Sequence, residues 1–565
     1  MRTALVTLLA AAAVLTASGS ASAGHTERNA ANVVVFGATL DAGEGFNTYL
    51  ACCNSFGAEM LGNVEALRGA FVQNNRGIWV KDLVTAASAD ARGVSYTISP
   101  DAYWYWGGRK VPVTYRDFVY TLREIDSPQS DVAGRTGYAN LDPARFVHHG
   151  QRQVTFFWRA TNCSTDFPCG PYADWQSLFS QLYPSAALAG LDFNKIWATC
   201  ICGSDGKPVA DGPFYLASYT PGQGSVLKAN PYFHDRAKIA EINFKVITDP
   251  ALLAEAMRSG QVDAIAPPFT TDLLALRGAR GLTFSISPIY SLEFLDFREG
   301  SARGGPSVSK GSSNVLLRAP WMRQAIGLAL DRQAMIDAVY GPGTGLRPVD
   351  SLLYFPGEQG YRPNFARWNY SPTQALALLK RHCTGGPAEP DPANGKIWHC
   401  AGLPAVFRYT WPSTSPARTA IEQVAKANLK AIGISIADTP LPASVVFTAQ
   451  GIPSGDFDLA QFAVFTTGDA GDWYDQYRCF GIQNFTGYCS HTVDSLLKAA
   501  NRDLDPQRRA ELFQRADAIM ATQVPAVPLF QKFGVLVHKS ALLGLGPNPG
   551  LFSYFWNVEN WRWKR

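Results

Sequence analysis

The sequence predicts an α/β fold. Three observations carry it. Short apolar runs alternate with amphipathic helical stretches along the whole chain. Asp-Pro, Ala-Pro and Ser-Pro pairs open the helical stretches, and glycines close several of them. No repeat period and no long low-complexity linker divides the halves, so any lobes are joined by short crossings within strands.

The elements follow in order. Val33 to Ala38 reads as a short apolar strand. Residues 95–125 alternate at first, turn at Gly107-Gly108, and become helical from Thr114. Residues 211–235 hold two β-rich runs around Pro221-Gly222, a hairpin. A strand, a helix and a strand come next, with Asp249 as N-cap before Pro250 and Gly260 as the stop. Residues 319–341 read as one helix from Pro320 to Gly341, with Met322, Ile326, Leu330, Ala334 and Val339 roughly on one face. Ser371-Pro372-Thr373-Gln374 has the pattern of a capping box. Arg418 to Ile432 forms another amphipathic helix, Gly433 ends it, and a strand follows. Asp505-Pro506 opens a helix to about Ala521, and the chain returns as strands.

Composition narrows the function. At about 150 residues per domain, 565 residues make three or four domains or two large lobes. The net charge of +4 gives no footprint for nucleic acid. With 47% hydrophobic and 17% charged residues the chain folds around large cores. Aromatic residues, 12% of the chain, suit both cores and ligand pockets.

Residues 1–23 read as a cleaved signal peptide: Met1-Arg2, an apolar stretch from Ala4 to Leu15, and the cleavage pattern Ala21-Ser22-Ala23. The apolar stretch is too short for a membrane span of roughly 20 residues. The first cysteine is Cys52, so no lipid anchor is evident. Export, to a periplasm or the cell surface, is therefore expected. Ten cysteines in an exported chain favour disulfides. Cys163 with Cys169, Cys383 with Cys400 and Cys479 with Cys489 are close in sequence. Cys52, Cys53, Cys200 and Cys202 are left to pair across the fold if their segments meet. His382-Cys383 with His399-Cys400 also has the composition of a zinc site, but an oxidising compartment favours the disulfide.

Seven segments in a fixed order then show a resemblance covering nearly the whole mature chain. They begin with Glu44–Asn47, Val111–Ile125, Asp211–Phe233 and Leu316–Gly341. They continue with Tyr370–Lys380, Gly455–Trp473 and the C-terminal run from Val524. The chain resembles the family 5 extracellular solute-binding proteins of bacterial ABC transporters, the peptide- and oligopeptide-binding group. The resemblance implies a two-lobe periplasmic-binding-protein fold (type II, cluster C) with two hinge crossings. The first lobe would hold 24–283 with an extra subdomain over about 65–195, the second 284–525, and 526–565 would return to the first. It further implies a monomer that captures peptides between the lobes and docks on a membrane permease powered by ATPase subunits. No cofactor is implied.

The sharpest local match is Thr467-Gly468-Asp469-Ala470-Gly471-Asp472, which is similar to the T-G-D-x-G-D loop of dipeptide binders. By that likeness Asp469 pairs with the peptide ammonium, supported by Thr467 and Gly468; common turn chemistry is the competing reading. The sequence departs from the pattern at Phe465-Thr466, where relatives often carry Trp, and at Trp473-Tyr474, where they tend to carry Pro. Phe465 and Trp473 are thus expected to shape the pocket. Trp411 is the further candidate for stacking on the ligand, with core packing as the competing reading. Arg418 is read as solvated, which leaves no clear anchor for a peptide carboxylate and leans away from strict dipeptides. Cys479 and Cys489 lie where similar proteins carry a disulfide.

Other ligands of this family, namely oligosaccharides, nickel chelates and haem, are the alternatives; only eight His are present. An exported hydrolase is the alternative of another class. The sequence holds no G-x-S-x-G elbow and no H-E-x-x-H helix. Asp456 and Asp458 flank Phe457, a pattern better explained by a strand edge than by a glycosidase pair. No enzyme activity is expected.

Overall fold

The structure is a computed structural model. It describes residues 32–564, except 44, 162, 164–168, 300–313, 388–395, 443–444, 449, 482 and 551–552. The signal peptide expected over 1–23 lies outside the described residues, as does Glu44 of the first matching segment. No helix among the described residues is long and apolar enough to cross a membrane.

One ten-stranded sheet runs through the molecule. Its strands are β1 (Val33–Ala38), β2 (Phe214–Thr220), β3 (Gly224–Ala229), β4 (Glu241–Val246), β5 (Ala264–Ile265), β6 (Leu282–Phe297), β7 (Val406–Thr410), β8 (Ser435–Asp438), β9 (Leu459–Phe465) and β10 (Ala526–Lys539). The spatial order is β2-β3-β4-β1-β5-β10-β6-β9-β7-β8. The centre is the antiparallel pair β6 and β10, matched from Leu282 opposite Lys539 to Asp296 opposite Ala526. One end of this ribbon joins β5, through Ala264 opposite His538. The other joins β9, through Ser291 opposite Phe465. Both strands therefore cross from one half to the other, as two hinge crossings require. Their register is irregular between Pro288 and Leu292, where proline removes a ladder donor.

Two hydrophobic cores flank the ribbon. One gathers Val34, Phe36, Phe244 and Ala264 with the C-terminal Phe555 and Trp561. The other gathers Phe294, Ile326, Leu429, Phe462 and Val527, and reaches across the sheet to Val35 and Leu253. A separate antiparallel sheet of Val84–Ala89, Gly93–Ile98, Gln153–Trp158 and Leu141–His149 sits in the first half beside the helix Tyr115–Asp126.

Local signals explain most element boundaries. Thr114 caps the helix Tyr115–Asp126 in a capping box with Asp117. Asp249 and Asp505 each accept from two backbone N–H groups at their helix starts. Two expectations need correction. The stretch 319–341 is two helices, Pro320–Ala329 and Arg332–Tyr340, because Asp331 leaves the helix to cap the second through Ala334 N–H at 2.9 Å. Ser371 makes no side-chain cap at the helix Pro372–His382, so the capping box is not formed there.

The cysteines form five disulfides: Cys52–Cys53, Cys163–Cys169, Cys200–Cys202, Cys383–Cys400 and Cys479–Cys489. The four cysteines whose pairing the sequence left open, Cys52, Cys53, Cys200 and Cys202, pair locally and not across the fold. Their segments do meet, with Phe46 N–H donating to Trp197 O at 2.8 Å, but the sulfurs face partners on their own segments. The Cys383–Cys400 bond takes both thiols of the alternative zinc set.

Candidate ligand site

A cavity of about 550 Å³ lies between the two halves. That is within the span of small-ligand sites, about 300–1,000 Å³. The first half contributes Phe56, Glu59, Tyr138 and Gln181; the second contributes Phe465, Thr467, Asp472 and Asp475. The halves touch around it. Phe56 stacks on Phe465 with ring centroids 5.9 Å apart. Gln73 Nε2 donates to Thr467 O at 2.5 Å, and Thr136 Oγ1 to Asp475 Oδ2 at 3.1 Å. Tyr290, on the hinge strand β6, fits because two glycines leave room. A Cβ on Gly77, from the first half, or on Gly468, from the second, would lie within 2.5 Å of its ring or hydroxyl.

The lining is acidic. Glu59, Asp472 and Asp475 face the cavity, and no Lys, Arg or His does among the described residues. Asp475 is neutralised by Arg478 at 2.6 Å. Asp472 accepts from the Thr467 N–H at 2.7 Å and its hydroxyl at 2.8 Å, both on Oδ2. Burial pushes Asp472 up to about 7; the neighbouring Asp469 charge adds to this, and the Thr467 bonds and Arg509 oppose it. Burial likewise pushes Glu59 up to about 7, against donation from Thr48 and Gln181. Both acids sit poised between charged and neutral near neutral pH. Asp174, packed behind the same loop, is pushed well up by burial and then by Asp469, and its Oδ2 has no partner.

The predicted residues divide into two groups. Phe465 and Thr467 line the cavity, as does Asp472 at the end of the same loop. Asp469, Gly468, Trp411 and Trp473 are not among its lining residues. Asp469 already has a cation: Arg509 meets both its oxygens at 2.5 Å, and Asp469 Oδ1 also accepts the Gly471 N–H at 2.6 Å, capping the turn Ala470–Trp473. Trp411 is buried, lies edge-on to Tyr409 and donates to Thr419 Oγ1 at 3.2 Å. Trp473 is buried edge-on to Phe294. Arg418 is not solvated: it grips the buried Glu293 at 2.8 and 3.2 Å. Asp456 and Asp458 both pair with Arg408 around the buried Phe457.

Sequence reading missed Glu59, Tyr138, Gln181 and Asp472 as cavity residues. The second Asp of the T-G-D-x-G-D loop was the available signal for Asp472. Glu59 follows a short helical turn capped by Ser55, with no motif around it.

Two lobes closing on a cavity across paired hinge strands define a solute-binding protein of the extracytoplasmic kind. Residues 79–481 match the family model of bacterial extracellular solute-binding proteins, family 5, and the chain belongs to that family. It is 25% identical over 473 residues to the oligopeptide-binding protein OppA of Mycobacterium tuberculosis, covering 80% of this chain and 71% of that protein. It is 27% identical over 367 residues to a dipeptide-binding protein of Pseudomonas aeruginosa, covering 63% and 62%. In fold it is similar to the periplasmic EDTA-binding protein EppA, with TM-score 0.79, 20% identity and coverage of 94% and 96%. It is similar also to the oligopeptide-binding protein AppA of Bacillus subtilis in complex with a nonapeptide, with TM-score 0.75, 17% identity and coverage of 94% and 99%.

Proposed function

We propose that this protein is the substrate-binding component of an ABC importer and captures peptides between its lobes. The observation that carries the reading is the cavity wall: carboxylates without a basic residue, in a chain whose relatives are named as oligopeptide- and dipeptide-binding proteins. Such a wall attracts an ammonium and repels anionic chelates. Asp472 takes the peptide ammonium through Oδ1, while Thr467 holds Oδ2. Asp469 holds Arg509 and shapes the loop. Phe56 and Phe465 cover the ligand. The exported mature chain acts as a monomer and hands its cargo to a membrane permease.

The test is calorimetry on ligand-stripped protein with short peptides and their N-acetylated forms. Free peptides bind, and acetylation, which removes the ammonium, weakens binding about tenfold or more. Equal affinity for both forms sinks the ammonium assignment, and no heat with any peptide sinks the peptide reading.

A further inference from the structure

A second pocket lies outside the cleft, on the outer seam of the two halves, with a volume of about 360 Å³. Four arginines line it: Arg92, Arg145, Arg159 and Arg502. The first three come from the separate antiparallel sheet and its margin. Gly93 lies opposite Phe157, and Trp158 N–H donates to Arg92 O at 3.0 Å, so Arg92 flanks the 153–158 strand on one side. Arg145 flanks it on the other and lies over the Phe157 ring, 4.7 Å from its centroid. Arg502 comes from the second half. Ala173 N–H donates to Asn501 O at 2.7 Å and fixes this junction. Gly170, at φ +104°, admits the guanidinium: a Cβ there would stand 2.9 Å from Arg502 Nη2.

Among the described residues the charges of this pocket do not cancel. Arg92 pairs with Asp90 at 3.1 Å, and Arg159 pairs with Asp126. Arg145 and Arg502 have no carboxylate partner among the described residues. Among the described residues, Arg145 and Arg502 therefore bring two guanidinium forks without a carboxylate to one pocket, beside the aromatic face of Phe157. Guanidinium forks match tetrahedral and planar oxyanions, and the residual charge matches a dianion. The volume leaves space for an organic group against Phe157.

We propose that this seam pocket is a second ligand site for a dianionic phosphate group, free or carried as a phosphomonoester. Its ligand touches both halves and so favours the closed arrangement. The proposal does not rest on the peptide reading.

The experiment is calorimetric titration of the full mature chain, without peptide, with inorganic phosphate and separately with glycerol 3-phosphate, at fixed ionic strength set by sodium chloride. Saturable one-to-one binding is expected. Binding of both probes assigns the site to the phosphate group itself; preference for the ester assigns Phe157 a share. Arg145→Gln and Arg502→Gln, both at exposed positions, are each expected to weaken binding about tenfold or more. Arg381→Gln, at an exposed arginine of the helix Pro372–His382, leaves it unchanged. The proposal is overturned if neither probe saturates, or if both seam variants bind as the parent does.

Discussion

Arg509 closes on Asp469 through two parallel contacts of 2.5 Å, and the two side chains are only 16% and 17% exposed. The arginine's charge is favoured further by that partner, despite burial. Removing one member of such a pair leaves the other charge shielded from water and alone, at a cost of about 3 kcal/mol. Asp469→Asn is therefore expected to lower the unfolding temperature clearly, read by calorimetric melting of ligand-free protein. An unchanged melt would mean that the pair contributes no stability.

Asp472→Asn should behave in the opposite way. Its carboxylate is costly to ionise, so the amide leaves the melt of the empty protein unchanged or raises it. Loss of the charge removes a charge-assisted bond worth about 1.5–3 kcal/mol, or roughly 10–100-fold in peptide affinity. Affinity kept within threefold would exclude Asp472 as the ammonium partner.

The raised acids give a pH dependence with a definite sign. Asp472 and Glu59 hold protons up to about 7 in the fold, well above the usual carboxylate range. The folded state binds more protons than the unfolded one between about 4 and 7, so these groups make stability fall as pH rises through that window. The titratable groups around Asp472 include Asp469, Arg509, Glu358 and, on the other half, Tyr172 and Asp174. Peptide affinity runs the other way. It rises from pH 6 toward 7.5 as Asp472 ionises, then falls above about 8 as the peptide ammonium loses its proton. Calorimetry in buffers of different ionisation heat should show proton release near pH 7. Flat affinity from pH 6 to 7.5 would contradict the assignment.

Much of the fold was legible because its signals are local. Asp249-Pro250 and Asp505-Pro506 each carry cap and first turn in adjacent residues, and both helices begin there. The Pro221-Gly222 hairpin and the strand Val33–Ala38 are equally local. What escaped depends on partners far away in sequence. Asp469 reads as a free acid until Arg509, 40 residues on, is placed against it. Arg418 reads as solvated until the sheet brings up Glu293, 125 residues before it. Asp331 looks like one more polar residue within a helix until Asn428, 97 residues away, accepts its backbone N–H on Oδ1 and the chain turns there. The cavity itself joins Glu59 to Asp472, and no sequence window contains both.

Glu293 and Arg418 supply the last prediction. Glu293 sits on the hinge strand β6 and accepts from Arg418 at 2.8 and 3.2 Å and from Gln461 at 3.0 Å. Its charge is held below the usual carboxylate range: burial opposes this, but Arg418, Lys532 and the hydrogen bonds outweigh it. A depressed acid adds stability that is present above its unfolded range and is lost as pH falls through the folded value. Arg418→Ala leaves Glu293 buried without its main cation and should cost about 3–5 kcal/mol. Glu293→Gln keeps the shape but strands Arg418 and Lys532 together, and should cost a similar amount. The double change Glu293→Gln with Arg418→Met removes both members and should recover part of the loss, since a buried pair can be replaced by neutral groups at little cost. Melting temperatures of the three variants check this. Strictly additive losses would show that the two side chains act independently, and the pair would then have no part in holding the hinge strand against the second core.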